Sequence, residues 1–132
     1  MRKLLFCFLA ASAVSSTLLA GCSSTSSTVV ESRVADPAEA LIGQWHDRDL
    51  TDYTFERVDG RVTLVSIVDY DEEVFEVRSA GFVKGFYTIE YFVPSTSYVV
   101  TYTIQSLEGE QLPARWTNSE GESGEEAFTR FE

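Results

Sequence analysis

Few side chains in this sequence could do chemistry, and most of those are carboxylates and phenols. His46 is the one histidine in the chain. It adjoins Trp45, and in an extended segment neighbouring side chains point to opposite faces, so an inward Trp45 puts His46 outward. A lone imidazole makes neither a metal site nor a catalytic triad. The acidic clusters are three: Asp47, Asp49 and Asp52; Asp69, Asp71, Glu72 and Glu73; and Glu120, Glu122, Glu125 and Glu126. None has the twelve-residue spacing of a calcium loop, so they read as solvated turns and no metal is expected. There is no Gly-x-Ser-x-Gly elbow and no phosphate-cradling loop, so no catalytic residue and no cofactor is expected. The phenols carry more information. Tyr87, Tyr91, Tyr98 and Tyr102 recur at even spacings on two adjacent apolar runs. They are candidates to line a cavity or a barrel mouth, with hydroxyls that orient a small apolar ligand. The alternative is that they simply fill a core.

The two cysteines, Cys7 and Cys22, bear on where the chain works. Arg2 and Lys3 precede an apolar run from Leu4 to Leu9, which continues, diluted by Ala and Ser, to Leu19. A charged start, an apolar middle and a small-residue end are the parts of a secretory signal. Ser12, Ser15, Ser16 and Thr17 make the stretch a poor spanning helix, which needs about 20 predominantly apolar residues. Leu19-Ala20-Gly21-Cys22 resembles the lipobox of bacterial lipoproteins. The resemblance implies cleavage before Cys22 and acylation of its thiol and new amino group, giving a palmitate-type anchor. Two or more acyl chains hold a protein stably on a membrane where one holds it marginally. Ser23 in the next position implies the outer membrane in a host that has one. Cys7 would leave with the signal, so the mature chain is expected to have no disulfide despite its export.

Cleavage would remove two of ten basic residues, leaving 8 against 21 acidic ones and a formal charge of -13. That excludes nucleic acid as a partner, since binding it needs a basic patch. It also argues against a domain lying flat on anionic lipid.

Any candidate site must be positioned by the elements downstream. Residues 22–35 read as the lipidated cysteine and a Ser/Thr-rich tether, with a root-mean-square reach of about 20 Å. Asp36-Pro37-Ala38-Glu39 is a helix start with a cap, a first-turn proline and an acid placed for a capping box, and Gly43 stops it. From there to residue 132 come about eight β-rich runs, separated by turn residues every 8 to 12 positions. Asp59-Gly60 between two of them is a strong hairpin signal. Phe75, Val77 and Ser79 are expected on one face, with a break or bulge between Gly81 and Gly85. Short connections make the strands antiparallel. The expected fold is therefore all-β: a small up-and-down β-barrel preceded by one short helical turn, with a two-sheet meander sandwich as the alternative. The expected divisions are 1–21, 22–35 and 36–132.

Gly43-Gln44-Trp45, after a helical turn and at the head of a β-rich chain, resembles the first motif of the lipocalin and calycin folds. The resemblance implies that Trp45 closes one barrel end and that a cation from the last strand covers it. Arg130 is the candidate, with Arg115 in reserve. The functional expectation is a non-enzymatic, membrane-anchored envelope lipoprotein that binds a small hydrophobic ligand in its barrel. The alternative is a protein-interaction or protease-inhibitor lipoprotein acting through loops or a strand edge.

Overall fold

The computed structural model describes residues 35–131. The signal, the lipidation of Cys22 and all of the tether before Ala35 lie outside the described residues. What is described begins with a single 3-10 turn, Pro37–Leu41. Asp36 caps it: one carboxylate oxygen accepts from Ala38 N at 2.9 Å, and the other accepts from Val62 N at 3.2 Å. The capping box expected of Glu39 does not form, because the Glu39 carboxylate pairs with Arg57 instead.

Eight strands follow: β1 (Gly43–His46), β2 (Asp52–Val58), β3 (Arg61–Val68), β4 (Glu76–Val83), β5 (Phe86–Val93), β6 (Tyr98–Ile104), β7 (Gln111–Asn118) and β8 (Ser123–Phe131). All belong to one antiparallel sheet in the order β3-β2-β1-β8-β7-β6-β5-β4. The fold is a nearly closed barrel, not the two-sheet alternative. β1 pairs with both β2 and β8, so the start and end of the barrel meet. The gap lies between β3 and β4 instead. There the bridge Val68↔Val74 and the Phe75 N–H to Ile67 C=O bond at 2.9 Å draw together one end of the seam.

The expected Asp59-Gly60 turn joins β2 to β3, with φ of 50° and 82°. Positive φ at both positions matches the right-handed twist of the strands it connects. β4 departs from expectation in two ways. It runs through Gly81 to Val83, with Lys84 and Gly85 forming the turn. Its irregularity lies earlier: the register shifts between Val77 and Ser79, leaving Arg78 as the extra residue. A bulge reverses the alternation beyond it. Ser79 therefore sits opposite outward-facing Glu90, and Ala80 sits opposite the fully buried Ile89. A second bulge between β2 and β3 separates inward Leu64 and Ile67 by three positions.

The barrel has two unlike ends. At the closed end are the 3-10 turn, the β2–β3 and β4–β5 turns and the β6–β7 connection. Trp45 is 1% exposed, and its indole N–H donates to Leu41 O at 2.8 Å. The Arg130 guanidinium lies 4.2 Å from the Trp45 ring centroid. It also donates to Ile42 O at 3.0 Å and Ala40 O at 2.9 Å, clamping the turn over the barrel. Arg115 plays no part there; it pairs with Glu125 on the outer wall at 2.8 Å. The remaining four connections meet at the opposite, open end. Between the ends the interior is packed with Phe55, Leu64, Ile67, Tyr87, Ile89, Ile104, Leu112 and Phe128.

Candidate functional site

The open end holds a cup of about 390 Å³. Its depth comes from inward-facing side chains near the ends of β5, β6 and β7, and its rim comes from the β1–β2 and β3–β4 connections. Tyr91, Tyr102, Phe75, Trp116 and Val100 supply its apolar surface. Phe75 stacks on Tyr91 with ring centroids 5.3 Å apart and planes 10° from parallel, and Tyr91 stacks loosely on Tyr102 at 6.3 Å. Tyr53 meets Tyr91, Tyr102 and Phe128 edge-on from below. Such offset and edge-to-face pairs fix the rings against one another. The rim carries Asp47, Asp49, Asp69, Asp71 and Glu126, with Arg48 and the exposed Tyr70.

Asp47 organises one side of the cup. It is 5% exposed, and each of its oxygens is occupied. One accepts from the N–H groups of Asp49 and Thr51, at 2.9 and 3.0 Å, and the other accepts from the Tyr53 hydroxyl at 2.9 Å. These bonds fold residues 47–51 into a tight loop in which Leu50 takes a φ of 66°. The Tyr53 hydrogen is committed to Asp47, so at the 3.2 Å Tyr53–Tyr91 contact the Tyr91 hydroxyl is the donor. On the other side the Tyr102 hydroxyl donates to the Glu126 carboxylate. Burial pushes the Asp47 carboxyl above the usual carboxylate range, against the downward pull of its three hydrogen bonds. Burial raises Glu126 too, and the Tyr102 hydroxyl partly offsets that. Burial also raises Tyr53, Tyr91 and Tyr102, so all three remain protonated donors at neutral pH.

Of the four candidate tyrosines, the structure brings Tyr91 and Tyr102 together at the cup. Tyr87 and Tyr98 do not line it. Tyr87 stands one residue from the closed-end turn and packs on Phe55 and Phe82. Tyr98 opens β6 opposite Val93 and is half-buried away from the cup. His46 is on the outer wall, half-buried and edge-on to Phe131. Among the described residues no group of three or more His, Cys, Asp or Glu side chains is placed to hold a metal ion.

No family model, curated protein or solved structure matches this chain. The reading of the cup therefore rests on its own chemistry. Among the members that sequence reasoning did not assign to a site are Trp116, Phe75, Asp47 and Glu126. Trp116 was legible, because it continues the inward alternation of Leu112 and Ala114 on β7. Its place at the cup also depends on Gly124: a Cβ there would come within 2.8 Å of the indole nitrogen. Alternation places Phe75 on one face with Val77, and both pack inward, but alternation does not show that Phe75, in the β3–β4 connection, reaches the cup. Asp47 and Glu126 are indistinguishable in sequence from the solvated acids beside them.

The arrangement is suited to holding a molecule. Its hydroxyls and the two innermost carboxylates are spent on one another, and the surface they support is flat, aromatic and edged with negative charge. Flat rings favour an apolar or aromatic body. Carboxylates over low-dielectric walls favour a positive group on that body.

Proposed function

We propose that the protein is a lipid-anchored lipoprotein of the cell envelope that acts without catalysis, its barrel mouth binding a small molecule with a hydrophobic body. The observation that carries the ligand reading is the 390 Å³ cup, in which stacked rings meet a carboxylate rim. The rim makes a ligand with a positive group the best match. The lipobox-like Leu19-Ala20-Gly21-Cys22 supports attachment through Cys22, and Ser23 after it supports the outer membrane. The open half of the β3–β4 seam favours a second reading, in which a protein partner adds to a strand edge.

One variant tests both halves of the proposal. Cys22→Ser should leave the membrane fraction, lose palmitate labelling, and show a small-molecule adduct by native mass spectrometry when purified from its own host. Continued membrane attachment would contradict the anchor. A bound polypeptide in place of a small molecule would decide for the second reading.

A further inference from the structure

The β4–β5 hairpin ends in Phe82-Val83-Lys84-Gly85-Phe86. Its apolar members are 43%, 54% and 44% exposed. Three adjacent bulky apolar residues on one turn are not required for the turn, which needs only Lys84 and Gly85 in the hairpin bend. Phe82 reaches inward to Tyr87 at a centroid distance of 5.3 Å and is still half open, because β4 has no neighbour on that side. Across the open part of the seam, the β2–β3 turn adds exposed Val58 and the cation Arg61 to the same end. Exposed apolar clusters of this kind mark contact surfaces.

Two features identify what this surface meets. The first is where the chain enters. Ala35 and the capping Asp36 lie at the closed end, with Asp36 bonded to Val62 at the start of β3. Only residues 23–34 separate that point from Cys22. The second is the charge. The connections at the open end carry Asp47, Asp49, Asp69, Asp71, Glu72, Glu73, Glu120 and Glu122 against Arg48. Four of the seven basic residues among the described ones, Arg57, Arg61, Lys84 and Arg130, are at the closed end. Against them stand Asp36, Glu39, Glu56, Asp59, Glu108 and Glu110, so among the described residues that end carries a much smaller negative excess than the open one. An anionic surface therefore repels the open end far more strongly than the closed one.

We propose that the tip of the β4–β5 hairpin, Phe82, Val83 and Phe86 with Lys84 among them, is a membrane-contacting element that rests on the lipid surface to which Cys22 is attached. It rests on the lipid-anchor reading above. The aromatic and branched side chains enter the headgroup boundary and Lys84 meets lipid phosphate. The acyl chains already supply stable attachment, so this contact adds no retention that the anchor lacks. The consequence is orientation: the closed end faces lipid and the cup faces away from it.

The test uses the full acylated chain in vesicles of phosphatidylcholine with phosphatidylglycerol. Phe86→Trp should be quenched by brominated acyl chains, and Leu50→Trp at the open end should not. Hydrogen exchange gives the same answer without altering the hairpin: residues 82–86 should exchange more slowly in the acylated chain on vesicles than in a detergent-free solution of the Cys22→Ser form, and residues 47–51 should be unchanged. Flotation with the vesicles reports the anchor separately. A chain that does not float overturns the anchor reading and this proposal together. A chain that floats, with no quenching at Phe86→Trp and no slowing at 82–86, overturns this proposal and leaves the anchor standing.

Discussion

Asp47 shows how one buried carboxylate can decide the shape of a site. It satisfies two backbone N–H groups and a phenol, and no buried side-chain polar atom among the described residues is left without a partner. Removing it strands those donors in a place water reaches poorly, at about 1–3 kcal/mol for each group left unpaired. We expect Asp47→Ala to lose about 3 kcal/mol in urea unfolding, with relaxation of the loop limiting the loss. The pH dependence has a definite sign. A carboxyl raised in the folded state binds its proton more tightly there than in the unfolded chain. The stability that Asp47 and Glu126 contribute is thus fully present below their ordinary values of 3.8 and 4.5 and is lost as pH rises through the raised ones. Asp36 acts oppositely: the N–H groups of Ala38 and Val62 hold its carboxyl low, and its contribution is lost as pH falls through that lowered value. We expect the urea midpoint to rise as pH is lowered from neutrality through the raised values of Asp47 and Glu126, and to rise less in a chain with Asp47→Asn and Glu126→Gln. An equal rise in both would assign the effect to general charge repulsion instead.

The elements that hold the site were largely legible in the sequence, and the departures have local causes. Turn chemistry and alternation gave eight antiparallel strands because each run keeps one face apolar and each break carries residues suited to a turn. They did not give the bulge at Arg78, since a single extra residue leaves the composition of the run unchanged while reversing its faces. Nor did they give the seam: which pair of neighbours fails to join depends on how β1, only four residues long, bridges β2 and β8. The cup was half legible. Period-two spacing found Tyr91 and Tyr102, yet it could not place Tyr87 and Tyr98 along the barrel axis. At the closed end the Arg130 guanidinium does three things at once: it covers the Trp45 ring, bonds two carbonyls of the 3-10 segment and pairs with Glu110 at 3.1 Å. We expect Arg130→Ala to lose about 2–3 kcal/mol by urea unfolding, from a cation–π contact of about 0.5–2 kcal/mol and two hydrogen bonds of about 1 kcal/mol each, less the water that replaces them. Arg130→Lys keeps the charge and loses the fork, so it should recover only part. A loss of less than about 0.5 kcal/mol in Arg130→Ala would mean that the clamp is ornamental.

Across the described barrel, packing and polarity point the same way. The barrel interior is filled from the closed end to its middle, so the space for a ligand lies at the open end, beside the β1–β2 and β3–β4 connections. Net charge gathers around that space, and the chain enters the barrel at the opposite end. The cup and the point where the chain enters the barrel are thus at opposite ends, and binding is expected at the cup. Trp116 lines the cup while Trp45 is sealed at the far end, so tryptophan emission reports occupancy directly. The most direct measurement is a fluorescence titration of the Cys22→Ser chain with three aromatic probes of equal size: a quaternary ammonium ion, a neutral alcohol and a sulfonate. We expect a saturable change with the cation, a response to the neutral probe weaker by about tenfold or more, which is about 1.4 kcal/mol, and none with the anion. The cation response should weaken several-fold in Glu126→Gln. No saturable change with any of the three probes, or one that is unaltered by Glu126→Gln and indifferent to probe charge, would contradict the cup as the site of binding.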